Sequence, residues 1–201
     1  MRPLLDILYK FAWVREGEAA RSSQSHFGGL AGLMRRHGIR AIVNLRGENS
    51  DLSWYRYERR VCAALGAPHF DAMLDSRHLP TRDMLVCLMD ALEKAPRPFL
   101  LKCSGGQDRT GLAGALYLIQ RDGWGARETA QKQFTGIVKK HQRWLKQFPS
   151  FAEEQAHGRE LSDWIRNDYE PRALAQWLTA KGLGDSFKGI FEKPRRSPFQ
   201  L

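Results

Sequence analysis

The sequence predicts an α/β fold in which a central mixed, mostly parallel sheet is flanked by helices. Short apolar, β-branched runs alternate along the chain with segments whose apolar residues recur at helical spacing. Such alternation favours parallel strands that are covered on both faces. The 201 residues suit one domain, because two separate cores would each approach the size at which burial becomes marginal. We expect a single domain over residues 1–201, with a core at about 20–125 and a C-terminal helical elaboration at about 126–201.

Two helix–strand units are predicted in the first third of the chain. A helix from Phe27 to Arg36 precedes a strand over Ala41–Leu45, and Gly38 between them can take the left-handed conformation that ends a helix. A second helix from Ser53 to Leu65 precedes a strand from His69 to Leu74. The predicted apolar faces are Leu30, Leu33 and Met34 in the first helix and Trp54, Tyr57, Val61 and Leu65 in the second.

A third unit leads to the middle of the chain. A helix over Thr81–Leu92 begins after Pro80, and prolines follow its end. Phe99–Leu101 is predicted to be a buried strand, and apolar residues recur at helical spacing after Gly111. From Ala126 onward we expect several helices, broken at Gly136, Pro149, Gly158 and Pro171. The tryptophans expected to pack these helices against the core are Trp144, Trp164 and Trp177.

Composition excludes wholesale disorder and restricts the kinds of partner. With 42% hydrophobic and 27% charged residues the chain has enough apolar surface to fold. No apolar run reaches a bilayer-spanning length, and Met1–Arg15 lacks a secretory core, so we expect a cytoplasmic protein. The net charge of +10 attracts phosphates and anionic lipid headgroups, while we do not expect a nucleic-acid partner. The acid-free stretch between Glu128 and Glu153 is predicted to be a solvated helix face, with the cations Lys132, Lys139, Lys140, Arg143 and Lys146.

The three cysteines fit neither a disulfide framework nor a metal site. Their number is odd and their spacing matches no zinc-ligand pattern, so we predict no metal and no cofactor. Cys62 and Cys87 are expected to be small buried hydrophobes. Cys103 is the exception, because its surroundings predict a chemical role.

A glycine-bearing loop joins the strand ending near Leu101 to the following helix. Its backbone N–H groups and the positive end of the helix dipole can enclose an anion. A thiolate at Cys103 would be a nucleophile, and Arg109, six residues later, can grip two phosphoryl oxygens at once. Thr110 could donate its hydroxyl to the thiolate. The predicted phosphate-binding residues are Ser104, Gly105, Gly106, Gln107, Asp108, Arg109 and Thr110.

The loop from Cys103 to Gly111 resembles the signature loop of the cysteine-dependent protein tyrosine and dual-specificity phosphatases. Further segments, Arg21–Gln24, His37–Arg46 and Leu79–Thr81, are similar to the atypical bacterial and fungal dual-specificity-like branch. The resemblance implies a dual-specificity phosphatase-like fold and a metal-free, two-step hydrolysis through a phosphocysteine. The chain departs from the family at Lys102, where a histidine usually precedes the nucleophile.

Hydrolysis also needs a group that protonates the leaving oxygen and later activates water. Asp75, between a predicted strand and helix, is the first candidate, because the resemblance places the acid loop there. Asp108 is its rival, since some lipid-directed bacterial phosphatases of the superfamily carry an acid inside the loop. Asp71 is expected to be structural, and His78 is expected to face solvent.

The sequence therefore predicts a cytoplasmic phosphomonoesterase with Cys103 as nucleophile, Arg109 as phosphate clamp and Asp75 or Asp108 as acid. The first substrate expectation is a phosphotyrosyl or dual-specificity protein substrate. Small phosphomonoesters, and among them inositol phosphates or phosphoinositides, are the alternative. A weakly active or inactive phosphate-binding module is the alternative of another class.

Overall fold

The computed structural model describes residues 3–25, 28–136 and 139–192 and has a five-stranded sheet at its centre. The strands are β1 (Ala12–Arg15), β2 (Ala19–Ser22), β3 (Ala41–Asn44), β4 (His69–Asp71) and β5 (Phe99–Lys102). Their order across the sheet is β1-β2-β5-β3-β4. The β1–β2 pair is antiparallel and every other pair is parallel, which confirms the predicted α/β class.

Nine α-helices occur in the described parts of the chain. They are α1 (Leu4–Leu8), α2 (Leu30–Arg36), α3 (Ser53–Ala64), α4 (Arg82–Lys94), α5 (Asp108–Asp122), α6 (Arg127–Gln131), α7 (Trp144–Ala156), α8 (Leu161–Asn167) and α9 (Pro171–Ala180). Short 3-10 turns cover Trp124–Ala126 and Lys140–Gln142. None of the helices in these ranges is long and apolar enough to cross a membrane.

The two faces of the sheet contribute to separate apolar clusters. Alternate residues of a strand point to opposite faces, so Ile42 and Leu100 pack with α2 and α3, whereas Val43 and Leu101 pack with α4 and α5. This double coverage explains why the central strands are apolar throughout. Because β3 and β5 are adjacent and parallel, the loops that follow them lie together at one edge of this covered sheet.

Several element boundaries differ from those expected. The first helix begins at Leu30, and Phe27, where we expected its start, lies outside the described residues. Regular pairing of β4 ends at Asp71, although the N–H groups of Ala72 and Leu74 still donate to backbone oxygens at the end of β3. Helix α5 begins at Asp108 and not after Gly111, because the preceding loop reverses the chain tightly.

The buried face of α3 is also shifted from the predicted stripe. Its fully buried residues are Tyr55, Glu58 and Cys62, while the predicted Trp54 and Val61 are only partly buried. A charged residue on the inner face breaks the apolar pattern on which the prediction relied. Its partner is described with the site below.

The β1–β2 hairpin was not predicted, although the sequence contains a signal for it. Three residues, 16–18, separate two short runs, and the central Gly17 has a φ of +72°, which a glycine in a tight hairpin loop adopts without strain. A further difference is Pro149, which lies inside α7 and does not break it. The flanking Phe148 and Phe151 are buried in an aromatic core, whose packing outweighs the hydrogen bond that the proline removes.

The C-terminal helices pack against the sheet-covering helices. Helix α7 contacts α5, and α8 contacts α4. Trp144 and Trp164 are buried as expected, whereas Trp177 is partly buried at the edge of the cluster. The Tyr169 hydroxyl donates to Pro80 O at 2.8 Å and so joins this region to the segment before α4.

Candidate active site

The loop between β5 and α5 places Cys103 at the carboxyl end of the central strand. Cys103 is 2% exposed and directly follows β5. The backbone N–H of Gly106 donates to its Sγ at 3.2 Å. The N-terminus of α5 begins two residues after Gly106. Backbone N–H groups and a helix N-terminus therefore surround the sulfur, as an anion site requires.

Gly106 is the residue that allows the loop to curl. Its φ is +67°, and a Cβ there would lie 2.5 Å from Ser23 N and 2.7 Å from the carbonyl carbon of Ser22. The neighbouring Gln24 N–H donates to Ser104 O at 3.1 Å. The loop is thus built against the chain that leaves β2, and only glycine fits at this contact.

The Arg109 side chain is held by backbone oxygens of the segments that follow β3 and β4. Its Nη1 donates to Leu45 O and Leu74 O, both at 3.4 Å, so the carbonyl oxygens beyond β3 and β4 hold one edge of the guanidinium. Arg109 and Cys103 line the same cavity of about 440 Å³. The other lining residues are Asp75, Ser76, Arg77, His78, Ser104, Gly105, Asp108 and Gln142.

The cavity brings together the four predicted catalytic residues, Cys103, Arg109, Asp75 and Asp108, with Ser104 and Gly105 of the predicted phosphate-binding loop. It does not include Asp71. The Asp71 carboxylate instead accepts hydrogen bonds from Asn44 Nδ2 at 2.8 Å and from the Tyr55 hydroxyl at 2.5 Å. Asp71 is therefore fixed in a network between β3, β4 and α3, in agreement with a structural role.

Asp75 is bound by the loop that follows it. Its Oδ1 accepts hydrogen bonds from Arg77 N–H at 2.7 Å, from His78 N–H at 2.9 Å and from the His78 ring Nδ1 at 3.0 Å. Burial alone would raise the pKa of Asp75, but these hydrogen bonds to the charged form outweigh it and lower the pKa. The geometry thus favours an ionised Asp75 that shapes the loop.

Asp108 has the opposite electrostatic character. It is half-buried at the first position of α5, and burial raises its pKa, although the nearby charges of Arg109 and Lys139 act against that shift. A raised pKa keeps a carboxyl protonated to higher pH, as a proton donor requires. Asp108 is therefore better suited than Asp75 to give up a proton.

The other predicted loop residues lie in different environments. Ser104 and Gly105 are exposed at the mouth of the cavity, and the Gln107 side chain lies against Gly136. The Thr110 hydroxyl is buried and has no hydrogen-bond partner among the described residues. The expected hydrogen bond from this hydroxyl to Cys103 is therefore not formed in the structure.

Two arginines outside the loop also approach Cys103. Burial lowers the pKa of Arg21. Burial, and after it the charge of Arg109, lowers the pKa of Arg46 to about 10. The negative charge of Cys103 opposes both shifts. Arg21 donates to Gln133 O and to the Thr135 hydroxyl. Both arginines lie in segments that carry the family resemblance, but their spacing from the loop gave no reason to assign them to the site.

Lys102 and Glu58 form a buried pair directly behind the loop. Both side chains are 0% exposed, and the Lys102 ammonium contacts the Glu58 carboxylate. Lys102 could be recognised from the sequence as a departure from the family, whereas its partner Glu58 was not predicted. A polar residue interrupting the apolar spacing of α3 was the signal that could have indicated it.

The basic stretch before α7 is not one solvated helix face. Lys139 interacts electrostatically with Asp108, whereas Lys140 pairs with Asp185 at 3.0 Å. Gln142 lines the cavity and donates to the Ser76 hydroxyl at 2.9 Å. The C-terminal region therefore contributes to the rim of the site.

Cys87 differs from expectation as well, since it is exposed, while Cys62 is buried.

Comparison with known proteins gives matches in structure alone. No protein-family model and no curated protein sequence matches the chain. Tk-PTP in its active form aligns with a TM-score of 0.53 and 19% identity over 69% of this chain and 95% of its own. TpbA from P. aeruginosa aligns with a TM-score of 0.51 and 16% identity over 87% and 93%. The core catalytic domain of the PP-IP phosphatase SIW14 from S. cerevisiae aligns with a TM-score of 0.50 and 15% identity over 86% and 93%.

These neighbours are cysteine-dependent phosphatases, and their likeness to the chain extends over most of the length of each. The fold consists of the five-stranded sheet, its flanking helices and the loop at the end of the central strand. The chain has the fold of the cysteine-dependent protein tyrosine and dual-specificity phosphatases.

Proposed function

We propose that the protein is a cysteine-dependent phosphatase that hydrolyses phosphomonoesters through a phosphocysteine intermediate. One observation carries the proposal: Cys103 and Arg109 face the same cavity, and the loop N–H of Gly106 already bonds to the sulfur. A phosphoryl group placed there meets a nucleophile, a guanidinium and backbone donors at once. The phosphatase fold of the neighbours supports the same reaction.

The proposed reaction has two steps. In the first, the Cys103 thiolate attacks phosphorus, an S–P bond forms and the bond to the leaving oxygen breaks. The leaving oxygen takes a proton from an acid of the cavity. In the second, water attacks phosphorus and gives a proton to the same carboxylate, the S–P bond breaks and the thiolate returns. Arg109 stabilises the charge on the phosphoryl oxygens in both transition states.

We assign the acid role to Asp108 rather than to Asp75, the first candidate from the sequence. Burial favours the protonated form of Asp108, whereas three hydrogen bonds favour the ionised form of Asp75. A general acid must carry its proton at the pH of the reaction. Asp75 then positions the Arg77–His78 segment at the cavity rim.

The lining of the cavity supports a polar substrate. No Phe, Tyr or Trp is among the described residues that line it, so no such ring is present to hold a phenyl group. Arg77 is exposed on the lining and forms no ion pair within the described residues. These features favour small, multiply charged phosphomonoesters, such as inositol phosphates, over a phosphotyrosyl protein. One structural neighbour, SIW14, is described as a PP-IP phosphatase.

A substrate panel tests both levels of this proposal. Phosphotyrosyl peptide, phosphoseryl peptide, aryl phosphate and polyphosphorylated inositol are offered to the wild type and to Cys103→Ser. We expect wild-type turnover that Cys103→Ser lacks, because a serine hydroxyl is barely ionised at neutral pH. Absence of wild-type turnover on every substrate, together with retained phosphate binding, would favour the phosphate-binding module instead.

Salt dependence separates the substrate classes. Polyphosphorylated inositols should show the highest kcat/KM, and their KM should rise steeply with salt, because salt screens the attraction between the charges at the cavity and a polyanion. Arg77→Gln should weaken this salt dependence, whereas Arg35→Gln, at an exposed arginine of α2, should leave it unchanged. A preference for phosphotyrosyl peptide in both variants would reverse the substrate order. A cytoplasmic location is part of the proposal, since a reducing compartment keeps a catalytic thiol free.

A further inference from the structure

The residue before Cys103 places a buried cation behind the nucleophile. Lys102 ends β5 and lies in register with Ser22 of β2 and Asn44 of β3. Its side chain is 0% exposed, and its ammonium contacts the Glu58 carboxylate from α3. A buried ion pair is costly to desolvate and gives weak evidence of stabilisation by itself, so its place behind the nucleophile needs another reason.

Glu58 connects this pair to the chain around the loop. Gln24 Nε2 also donates to the Glu58 carboxylate, and the His69 ring approaches it at 3.4 Å. The Gln24 side-chain oxygen accepts from Arg46 Nη1 at 2.9 Å, and the Gln24 N–H donates to Ser104 O at 3.1 Å. One carboxylate thus touches Lys102 and is linked through a single glutamine to the phosphate loop.

Charge balance explains what the pair does. Burial first, and then the charges of Arg46 and Arg109, lower the pKa of Lys102, while the negative charge of Cys103 raises it. Glu58 is the carboxylate in contact with the Lys102 ammonium, and Gln24 links it to Arg46. The charged and titratable groups around the pair are Glu58 from α3, which contacts Lys102, and His69 from β4, which contacts Glu58. The charges of Arg46 after β3 and Arg109 from α5 act on Lys102, and those of Arg21 from β2 and Arg46 interact with Cys103.

We propose that Lys102 and Glu58 are opposed positioning residues for Cys103, in which the lysine favours the thiolate and the carboxylate limits that effect while holding the lysine in place. The inference rests on the proposed function, since it concerns the nucleophile of that reaction.

The two members of the pair should act on the thiol in opposite directions. Removing Lys102 leaves a carboxylate behind Cys103 and raises the pH at which the thiolate forms. Removing Glu58 leaves a cation there and lowers that pH. A pair that only supported packing would loosen the loop in either variant and move both midpoints alike. The order of the two midpoints therefore distinguishes the roles.

The experiment measures alkylation of Cys103 by iodoacetamide as a function of pH in the intact chain. Peptide mass spectrometry separates Cys103 from the exposed Cys87 and from Cys62, for which burial raises the pKa to about 11. The measurement needs no turnover, so it can fail or succeed independently of the phosphatase proposal. The variants are Lys102→Met, Glu58→Gln, the double variant and, as a matched control, Lys94→Met from the exposed Lys94–Asp90 pair.

We expect the Lys102→Met midpoint to lie about one pH unit above that of Glu58→Gln, with the wild type between them. The midpoint of the double variant should lie above that of Glu58→Gln and near that of the wild type, and Lys94→Met should leave the midpoint unchanged. If Lys102→Met does not fold, the comparison of the double variant with Glu58→Gln measures the same effect. Coincident midpoints, or the reverse order, would overturn the proposal.

Discussion

Substitution of Gly106 by alanine should damage the loop and leave the rest of the fold in place. The left-handed φ of +67° costs a residue with a Cβ about 1–2 kcal/mol. The added Cβ would also lie 2.5 Å from Ser23 N, and no side chain can move aside to relieve this backbone contact. Hydrogen bonds from Ser23 N–H to Tyr9 O and from Gln24 N–H to Ser104 O fix the chain on both sides. The loop must therefore shift.

The strain alone predicts a fall in Tm of roughly 2–8 °C for a chain of this size. A displacement of the loop N–H from Cys103 should lower kcat/KM by about 100-fold, since misplacement by an ångström can cost that much. Thermal unfolding and steady-state hydrolysis of an aryl phosphate measure the two effects.

Gly105→Ala is the matched control, because Gly105 has no left-handed φ and an added Cβ would meet nothing within 4 Å. It should change Tm by less than about 1 °C. Equal losses in the two alanine variants would refute the steric account of the loop.

Further substitutions test the clamp, the acid and the C-terminal packing. Arg109→Lys should lose at least about 100-fold in kcat/KM despite its equal charge, because the paired geometry is lost; near-normal steady-state kinetics would contradict this. Asp108→Asn should slow substrates with poor leaving groups most. It should also remove the alkaline limb of the pH–rate profile. In the wild type this limb should lie at higher pH than an ordinary aspartate would give, because the pKa of Asp108 is raised. The same behaviour in Asp75→Asn, with Asp108→Asn unaffected, would return the acid role to Asp75. Tyr169→Phe should cost about 1–2 kcal/mol in urea unfolding while keeping one transition, because it leaves Pro80 O buried without its donor; two separate transitions would argue against one domain.

The strands and helices around the loop could be predicted because their patterns are local. β3 and β5 are short apolar runs, and α4 has a cap at Thr81 that accepts from Met84 N–H. Each signal lies within a few residues of the element that it predicts. The β1–β2 hairpin has a weaker signal, since the four residues of β2 include no β-branched or aromatic side chain.

Pairings between distant elements could not be predicted from spacing. Lys102 and Glu58 are 44 positions apart, and neither carries a periodic signal that relates it to the other. The difference in pKa between Asp75 and Asp108 is also a property of the assembled cavity, because burial raises the pKa of both carboxyls and only Asp75 accepts hydrogen bonds that outweigh it. The sequence could place both carboxyls near the loop, but only their hydrogen bonds distinguish a bound carboxylate from a proton donor.

Trapping of the covalent intermediate tests the central claim most directly. Wild-type protein is mixed with an activated aryl phosphate, quenched in acid within one turnover, digested and mapped by mass spectrometry. We predict one phosphoryl group on the peptide that carries Cys103, absent from Cys103→Ser and increased when the second step is slowed in Asp108→Asn. Turnover of the aryl phosphate without phosphate on Cys103 at any quench time, or unchanged turnover in Cys103→Ser, would contradict the account.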